Sequence, residues 1–334
     1  MNDPEPWLRT ANRVIIGVGL GINTLLLIMR IYTKACLIRK FWWDDVCLIV
    51  AWFFSVGTQA VILYGFAHAG YGVHTSELSL PVLNIYLKCV LAASVIYVPA
   101  LAFAKLALLM LYYRLLGAIH QLYMYIIYLV SSIVAGYSIA LDLALIFGCT
   151  PVQKSWDMTI ATGSCISQTG VYLATAITNT ASDVVLILIP VPAVCGLRLP
   201  FIQKVMVLCM FSIGFVTTSI SIIRLATLMP LVTSQDQSHE IALAAIFINI
   251  EANFIIICSS LPYLRNFLRY YAPRWIGDSV HAKRRYSYST DSPSGPMRMP
   301  GLTQLQDDID RAINRTDGTA SLNGHIERGA VEVV

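Results

Sequence analysis

The chain has 334 residues, 57% of them hydrophobic and only 13% charged, with a formal net charge of +4. Soluble domains carry about 25% charged residues, so a chain this apolar cannot cover a water-facing surface and reads as a membrane protein. Eight cysteines at this length make no disulfide scaffold; Cys36, Cys47, Cys195, Cys209 and Cys258 fall in or beside apolar segments as packing residues.

The opening MNDPEPWLRT has acidic residues and no basic run. This predicts that the first apolar segment is a signal-anchor and not a cleavable signal peptide. A span needs about 20 apolar residues. Seven segments qualify: 14–32, 46–67, 89–113, 123–147, 170–194, 202–229 and 241–262. The predicted fold is all-α: a polytopic bundle of seven transmembrane helices over residues 14–262, after a short extracellular N-terminus at 1–13. Lys and Arg placement sets orientation. Arg30, Lys34, Arg39, Lys40, Arg114, Arg198, Lys204, Arg265, Arg269, Arg274, Lys283, Arg284 and Arg285 fall on one side, and Arg9, Arg13, Lys88 and Lys154 on the other. The richer side is cytosolic, which puts the N-terminus outside and the C-terminus in the cytosol.

Phe41, Trp42 and Trp43 mark the cytosolic start of the second span, and Asp44 and Asp45 follow as helix-capping carboxylates. On the outer side, His68, His74 and Glu77 read as solvated loop residues and not as a metal site. Cys149 ends the fourth span and Cys165 lies in the next loop, on the side exposed to an oxidising compartment. The expected disulfide is Cys149–Cys165, with Cys89 the rival partner. After Pro262, Leu264, Phe267, Leu268 and Tyr271 share a face opposite Arg265 and Arg269. This predicts a basic amphipathic juxtamembrane segment over 263–285, beginning with a short interfacial helix. Residues 286–334 have the composition of a disordered cytosolic tail.

The spans carry Lys105, Asp142, Asp183, Arg224 and Glu251, with Asn23, Gln59, Asn179, Asn249 and Asn253. Counting helical rise, Asp142 lies about 8 Å below the outer end of its span and Arg224 is similarly shallow. These two are expected to pair or to share outside water. Asp183 and Glu251 lie about 15–18 Å down. Lys105 is deeper, and its stem reaches back toward either carboxylate. A pair of Lys105 with Asp183 or Glu251, or a protonated carboxyl, are the two ways to hold such groups there. The bland alternative is a set of helix-locking hydrogen bonds. Intramembrane charges are functional by default, so Lys105, Asp142, Asp183, Arg224, Glu251 and Asn253 form the candidate site or switch. Pro190 and Pro192 end the fifth span and read as a hinge.

No phosphate-binding loop, GxSxG elbow or CxxC occurs, and no histidine sits in mid-span with carboxylates, so no enzyme is expected. The seventh span, IALAAIFINIEANFIIICSSLP, has no lysine for a retinal Schiff base, so no cofactor is expected either.

Many residues match one family in register. They are Trp43-Asp44-Asp45, Gly70-Tyr71-Gly72 with His74, Tyr97, Lys105 to Leu109, Tyr112 to Leu115, Phe147-x-Cys149-x-Pro151, Trp156, Cys165, Asn179, Asp183, Pro190-x-Pro192, Lys204, Gly214, Arg224, Glu251-x-Asn253 and Cys258 to Pro262. The chain resembles the fungal rhodopsin-domain membrane proteins, proposed G-protein-coupled receptors of the Pth type that are also grouped with a salt-tolerance-type membrane family. The resemblance implies seven helices and a receptor role in which "rhodopsin" denotes fold and not pigment. Two marks of animal receptors are missing. LYYRLL has no acidic residue before Arg114, and SSLPYLRNF replaces Asn-Pro-x-x-Tyr. The expected protein is a plasma-membrane receptor for an external small or apolar ligand. Its cytosolic face (Arg114, Arg198, Lys204, Arg265, Arg269) would meet a partner such as a heterotrimeric G protein. The bilayer is the other partner, and no nucleic acid is expected. The alternative is an ion- or proton-coupled transporter or channel using Lys105, Asp183 and Glu251.

Overall fold

The computed structural model describes residues 6–38, 42–73, 78–116, 121–157, 159–191, 201–233 and 237–271. Seven long helices account for most of them: α1 (Pro6–Tyr32), α2 (Trp43–His68), α3 (Leu80–Leu116), α4 (Gln121–Phe147), α5 (Gln168–Leu188), α6 (Phe201–Thr233) and α7 (Gln237–Tyr271). Six are long and apolar enough to cross a membrane, and α6 contributes a shorter apolar stretch, Gly214–Met229. His74, Glu77, Pro192, Arg198, the tail from 272 onward, and the side chains of Lys204, Arg265 and Arg269 lie outside the described residues.

Local chemistry sets several helix ends. At the start of α2, the Asp45 carboxylate accepts from the Trp42 backbone N–H at 3.3 Å, covering a donor that has no partner within the helix. Ser167 caps α5 by accepting from Gly170 N at 3.2 Å. That helix closes where Ile189 N donates to Val185 O at 3.2 Å. Pro190 then sits buried in the turn, one residue beyond. Lacking an N–H, it cannot carry the ladder on, and Val191 just beyond it is helical again. Pro99, by contrast, lies inside the 37-residue α3.

Two further boundaries differ from expectation. α1 begins at Pro6 and passes into a π-helical turn, Thr33–Ile38, so it runs past both ends of the expected span. α7 continues through Pro262 to Tyr271. The described part of the basic segment is therefore an extension of the last helix and not a separate interfacial one.

α3 is the central helix: α2, α4, α5 and α7 all pack on it, while α1 lies on α7, and α6 lies between α5 and α7. Leu8, Ile62, Phe66, Tyr71, Tyr86 and Ile246 form the core near the disulfide end. Leu27, Leu48, Tyr97, Leu101, Ile255 and Ile256 form it between α1, α2, α3 and α7. Large apolar side chains such as Tyr125, Leu129, Ile133, Ile139 and Leu143 on α4 are exposed, as a lipid-facing surface requires. Gly19 allows α1 to approach α7 closely, since a Cβ there would stand 2.2 Å from Asn253 Nδ2.

One end of the bundle carries a small covalent cap. β1 (Cys149–Thr150) and β2 (Ser164–Cys165) pair antiparallel, with Cys149 opposite Cys165. These two form the disulfide, and Cys89 is a buried free thiol. Gly163 turns the loop back at φ 96°, a region that side chains rarely adopt. Lys154 Nζ donates to Gly163 O at 2.8 Å. In the same loop the Thr159 hydroxyl and N–H both donate to Asp157, which holds its carboxyl below the ordinary range.

Candidate functional site: two buried charge clusters

α3, α5, α6 and α7 each direct charged or polar side chains to one point. Lys105 of α3 is fully buried. Its ammonium meets Asp183 Oδ1 at 2.9 Å, Asn179 Oδ1 at 2.7 Å, Asn179 O at 3.0 Å and Ser182 Oγ at 2.6 Å. Asn179, Ser182 and Asp183 fall within little more than one turn of α5, so one helix face supplies all four oxygens. Of the two carboxylates within reach of Lys105, Asp183 is the one that pairs.

Glu251 of α7 has its own cation. Arg224 Nη1 of α6 lies 3.3 Å from Glu251 Oε2 and donates to the Tyr97 hydroxyl. Tyr97 donates onward to Glu251 Oε2 at 2.6 Å, and its ring lies 5.1 Å from the guanidinium carbon. Asn179 Nδ2 donates to Glu251 Oε1. Ser221 Oγ stands 2.7 Å from Asp183 Oδ2 and 2.6 Å from Glu251 Oε1. Two ion pairs thus share one network, neutral in sum. Beside Asp183 lies a cavity of roughly 20 Å³ lined also by Leu108, Tyr112, Leu186, Gly214, Thr217 and Cys258, room for a single water molecule.

The expected Asp142–Arg224 pair does not form. Arg224 turns to Glu251 and Tyr97, and α4 packs on α3 and α5. Asp142 is half-buried, and its Oδ1 has no hydrogen-bond partner among the described residues. Asn253 also stands apart. Two residues from Glu251 is about 200° around a helix, so Asn253 faces α1 and α2. There it accepts from Asn23 Nδ2 and from Gln59 Nε2 at 3.1 Å. Asn249, on the same face, donates to Asn12 Oδ1 at 2.8 Å.

A second charge cluster was not apparent from the sequence. Arg30 and Lys34, counted as cytosolic loop cations, are 2% and 0% exposed. Arg30 reaches Asp45 at 2.9 Å and also pairs with Asp44. Lys34, placed by the π-helical turn, reaches Asp44 at 2.6 Å and Asp45 at 2.7 Å. Arg30 also donates to Ser259 O of α7. Tyr263 of α7 lies against both cations, its ring centroid 4.3 Å from the Arg30 guanidinium and 4.4 Å from Lys34 Nζ. Asp45 is therefore a cap and an ion-pair partner at once. Arg114, expected to face a partner, stacks over Trp42 at 4.9 Å.

Comparison with known proteins places this architecture. The model of the fungal rhodopsin domain matches residues 29–270. A polyenoic acids biosynthesis gene cluster protein of Metarhizium anisopliae is 26% identical over 220 residues, 64% of this chain and 59% of that protein. A wortmanamides biosynthesis cluster protein of Talaromyces wortmannii is 25% identical over 178 residues, 53% of this chain and 48% of its own length. A SAT4 family membrane protein of Emericella nidulans is 26% identical over 215 residues, 64% of this chain and 54% of its own. The matches thus span about half of each of these relatives. The domain match covers every helix from the end of α1 through nearly all of α7 and takes in both charge clusters, and the chain belongs to the fungal rhodopsin domain family.

Proposed function

We propose that this membrane protein is a receptor whose switch is the network of Lys105, Asp183, Ser221, Glu251, Arg224 and Tyr97. In this reading all seven helices cross the bilayer of the plasma membrane, with the disulfide cap outside and the C-terminus in the cytosol. The observation that carries it is the Ser221 hydroxyl, set between Asp183 of α5 and Glu251 of α7. One side chain of α6 thereby couples both ion pairs. A ligand that favours a different arrangement of α5 and α6 shifts the population of that arrangement, and breaking a buried pair makes the change all-or-none. A drug-sized ligand fills about 300–1,000 Å³. The water-sized cavity beside Asp183 therefore suits a switch and not the ligand pocket itself. Relatives named for biosynthesis clusters make a small organic metabolite a fitting ligand class. The cytosolic partner is a heterotrimeric G protein.

Rescue of a deletion strain tests this. Asp183→Asn and Glu251→Gln proteins that reach the membrane folded but fail to restore signalling support a switch. Full rescue by both overturns it. The transporter reading rests on the same chain of hydrogen bonds serving as a proton path. Flux in reconstituted vesicles that is lost in Asp183→Asn would establish it in place of the receptor.

A further inference from the structure

Three oxygens stand in a row at the centre of the network. Ser221 Oγ lies 2.7 Å from Asp183 Oδ2 and 2.6 Å from Glu251 Oε1. Each of these contacts needs a hydrogen between its oxygens, because an ionised carboxylate only accepts. The serine hydroxyl supplies one. A second hydrogen is a proton on a carboxyl group, and the surroundings favour one of the two. Glu251 is served on both oxygens: Oε1 accepts from Asn179 Nδ2, and Oε2 accepts from Tyr97 at 2.6 Å and faces Arg224 at 3.3 Å. Asp183 Oδ2 faces Ser221 and, at 3.3 Å, the Asn179 amide. Asp183 is also the carboxylate that borders the water-sized cavity.

That cavity gives the proton a source. Tyr112 of α3, Leu186 of α5, Thr217 of α6 and Cys258 of α7 line it. On α3, α5 and α7 these residues follow Lys105, Asp183 and Glu251, and on α6 Thr217 precedes Ser221. The cavity therefore lies on the side of Asp183 away from the disulfide cap, which is the cytosolic side in the receptor reading. We infer that Asp183 is a proton-binding site loaded through this cavity, so that cytosolic acid switches the network. A hydronium ion in the cavity gives its proton to Asp183 Oδ2. The hydronium O–H bond breaks and its electron pair stays on the water left behind. The new O–H bond on Asp183 donates to Ser221, and the Ser221 hydroxyl turns to Glu251. Lys105 loses its ion partner but keeps three acceptors for its three N–H groups: Asn179 O at 3.0 Å, Asn179 Oδ1 at 2.7 Å and Ser182 Oγ at 2.6 Å. Both states thus have their hydrogen bonds made. They differ by one net positive charge, and a buried charge without its partner favours an arrangement in which α3 and α5 part. Asp183 is faced by Lys105, Tyr97 and Tyr112 from α3, by Tyr137 of α4 across Ser182, by Arg224 from α6, and by Glu251 and Cys258 from α7. Of these, Lys105, Arg224, the tyrosines and Cys258 already hold their protons.

Infrared titration of the full chain in phosphatidylcholine nanodiscs reads the proton directly, through the C=O stretch of a protonated carboxyl group. Asp142, half-buried on α4, would add a band of its own, so Asp142→Asn is the parent chain. From about pH 8 to pH 5, the window of physiological proton switches, the parent should gain the band, with the protonated-to-ionised ratio rising about tenfold per pH unit. Isotope-labelled aspartate should move the band and labelled glutamate should not, a test that leaves Asp183 in place. Adding Asp183→Asn should remove the band. Ser221→Ala takes one more hydrogen bond from the protonated state than from the ionised one, so the midpoint should fall by about one pH unit. A parent without the band, a band that moves with glutamate, a band that survives in folded Asp183→Asn, or an unmoved midpoint in Ser221→Ala would each overturn the inference. The inference rests on the receptor reading and adds its regulation: Asp183→Asn, the silent variant of that reading, imitates the protonated form, so cytosolic acid should silence the wild type in the rescued strain. The band without silencing would sink only the receptor reading. Signalling lost in Asp183→Asn without the band would sink only this inference.

Discussion

Lys105 and Asp183 close a 2.9 Å ion pair between α3 and α5, with Lys105 fully buried and Asp183 nearly so. Removing one member strands the other. Asp183→Ala should destabilise the protein by about 3–5 kcal/mol, and Lys105→Met in the same chain should recover part of that loss. A double-mutant cycle on thermal unfolding in detergent measures the coupling; additive single effects would show that the pair contributes nothing.

Tyr263 separates two contributions in the Arg30–Lys34–Asp44–Asp45 cluster. Its hydroxyl donates to Asp44 at 3.3 Å, whereas its ring lies against both cations. Tyr263→Phe keeps the ring and should cost about 1 kcal/mol or less. Tyr263→Ala also loses the ring contacts and leaves a cavity, and should cost about 3–5 kcal/mol. Equal effects in unfolding experiments would mean that the ring contacts are immaterial.

Counting rise along each span was enough to bring Asp183 and Glu251 to one level, with Lys105 deeper but within reach through its stem, because depth depends only on residue number. It could not settle Arg224, because depth carries no information about which helices are neighbours. Asp142 matches Arg224 in depth, but α4 lies on α3 and α5 while Arg224 turns toward α3 and α7. The separation of Asn253 from Glu251 was readable, since a two-residue offset turns a side chain most of the way round the helix. The Arg30–Lys34 cluster was not. Charge counting treats every basic residue at a span end as solvated, and nothing in TKACLI announces the π-helical turn that carries Lys34 inward.

The cap provides a stability test outside the bilayer. The disulfide joins residues 16 apart in sequence, and closing a loop of that size is worth about 3 kcal/mol through the unfolded chain. Cys165→Ser should lower the unfolding midpoint, and reductant should lower the wild-type midpoint to a similar value without affecting Cys165→Ser further. Cys89→Ser, which removes a free thiol, should leave the response to reductant intact.

Two glycines on one helix make an internally controlled pair. At Gly19 an added Cβ would stand 2.2 Å from Asn253 Nδ2 and 2.7 Å from its Cγ. Asn253 is tied to Asn23 and Gln59, so it cannot withdraw without giving up buried hydrogen bonds. Gly19→Ala should therefore cost about 1–3 kcal/mol, as overpacking does. At Gly17 nothing lies within 4 Å of the same added atom, and alanine has the higher helix propensity. Gly17→Ala should then be neutral or stabilising by up to about 1 kcal/mol. Unfolding midpoints of the two variants side by side decide the matter, and similar losses at both positions would refute a close α1–α7 contact at Gly19.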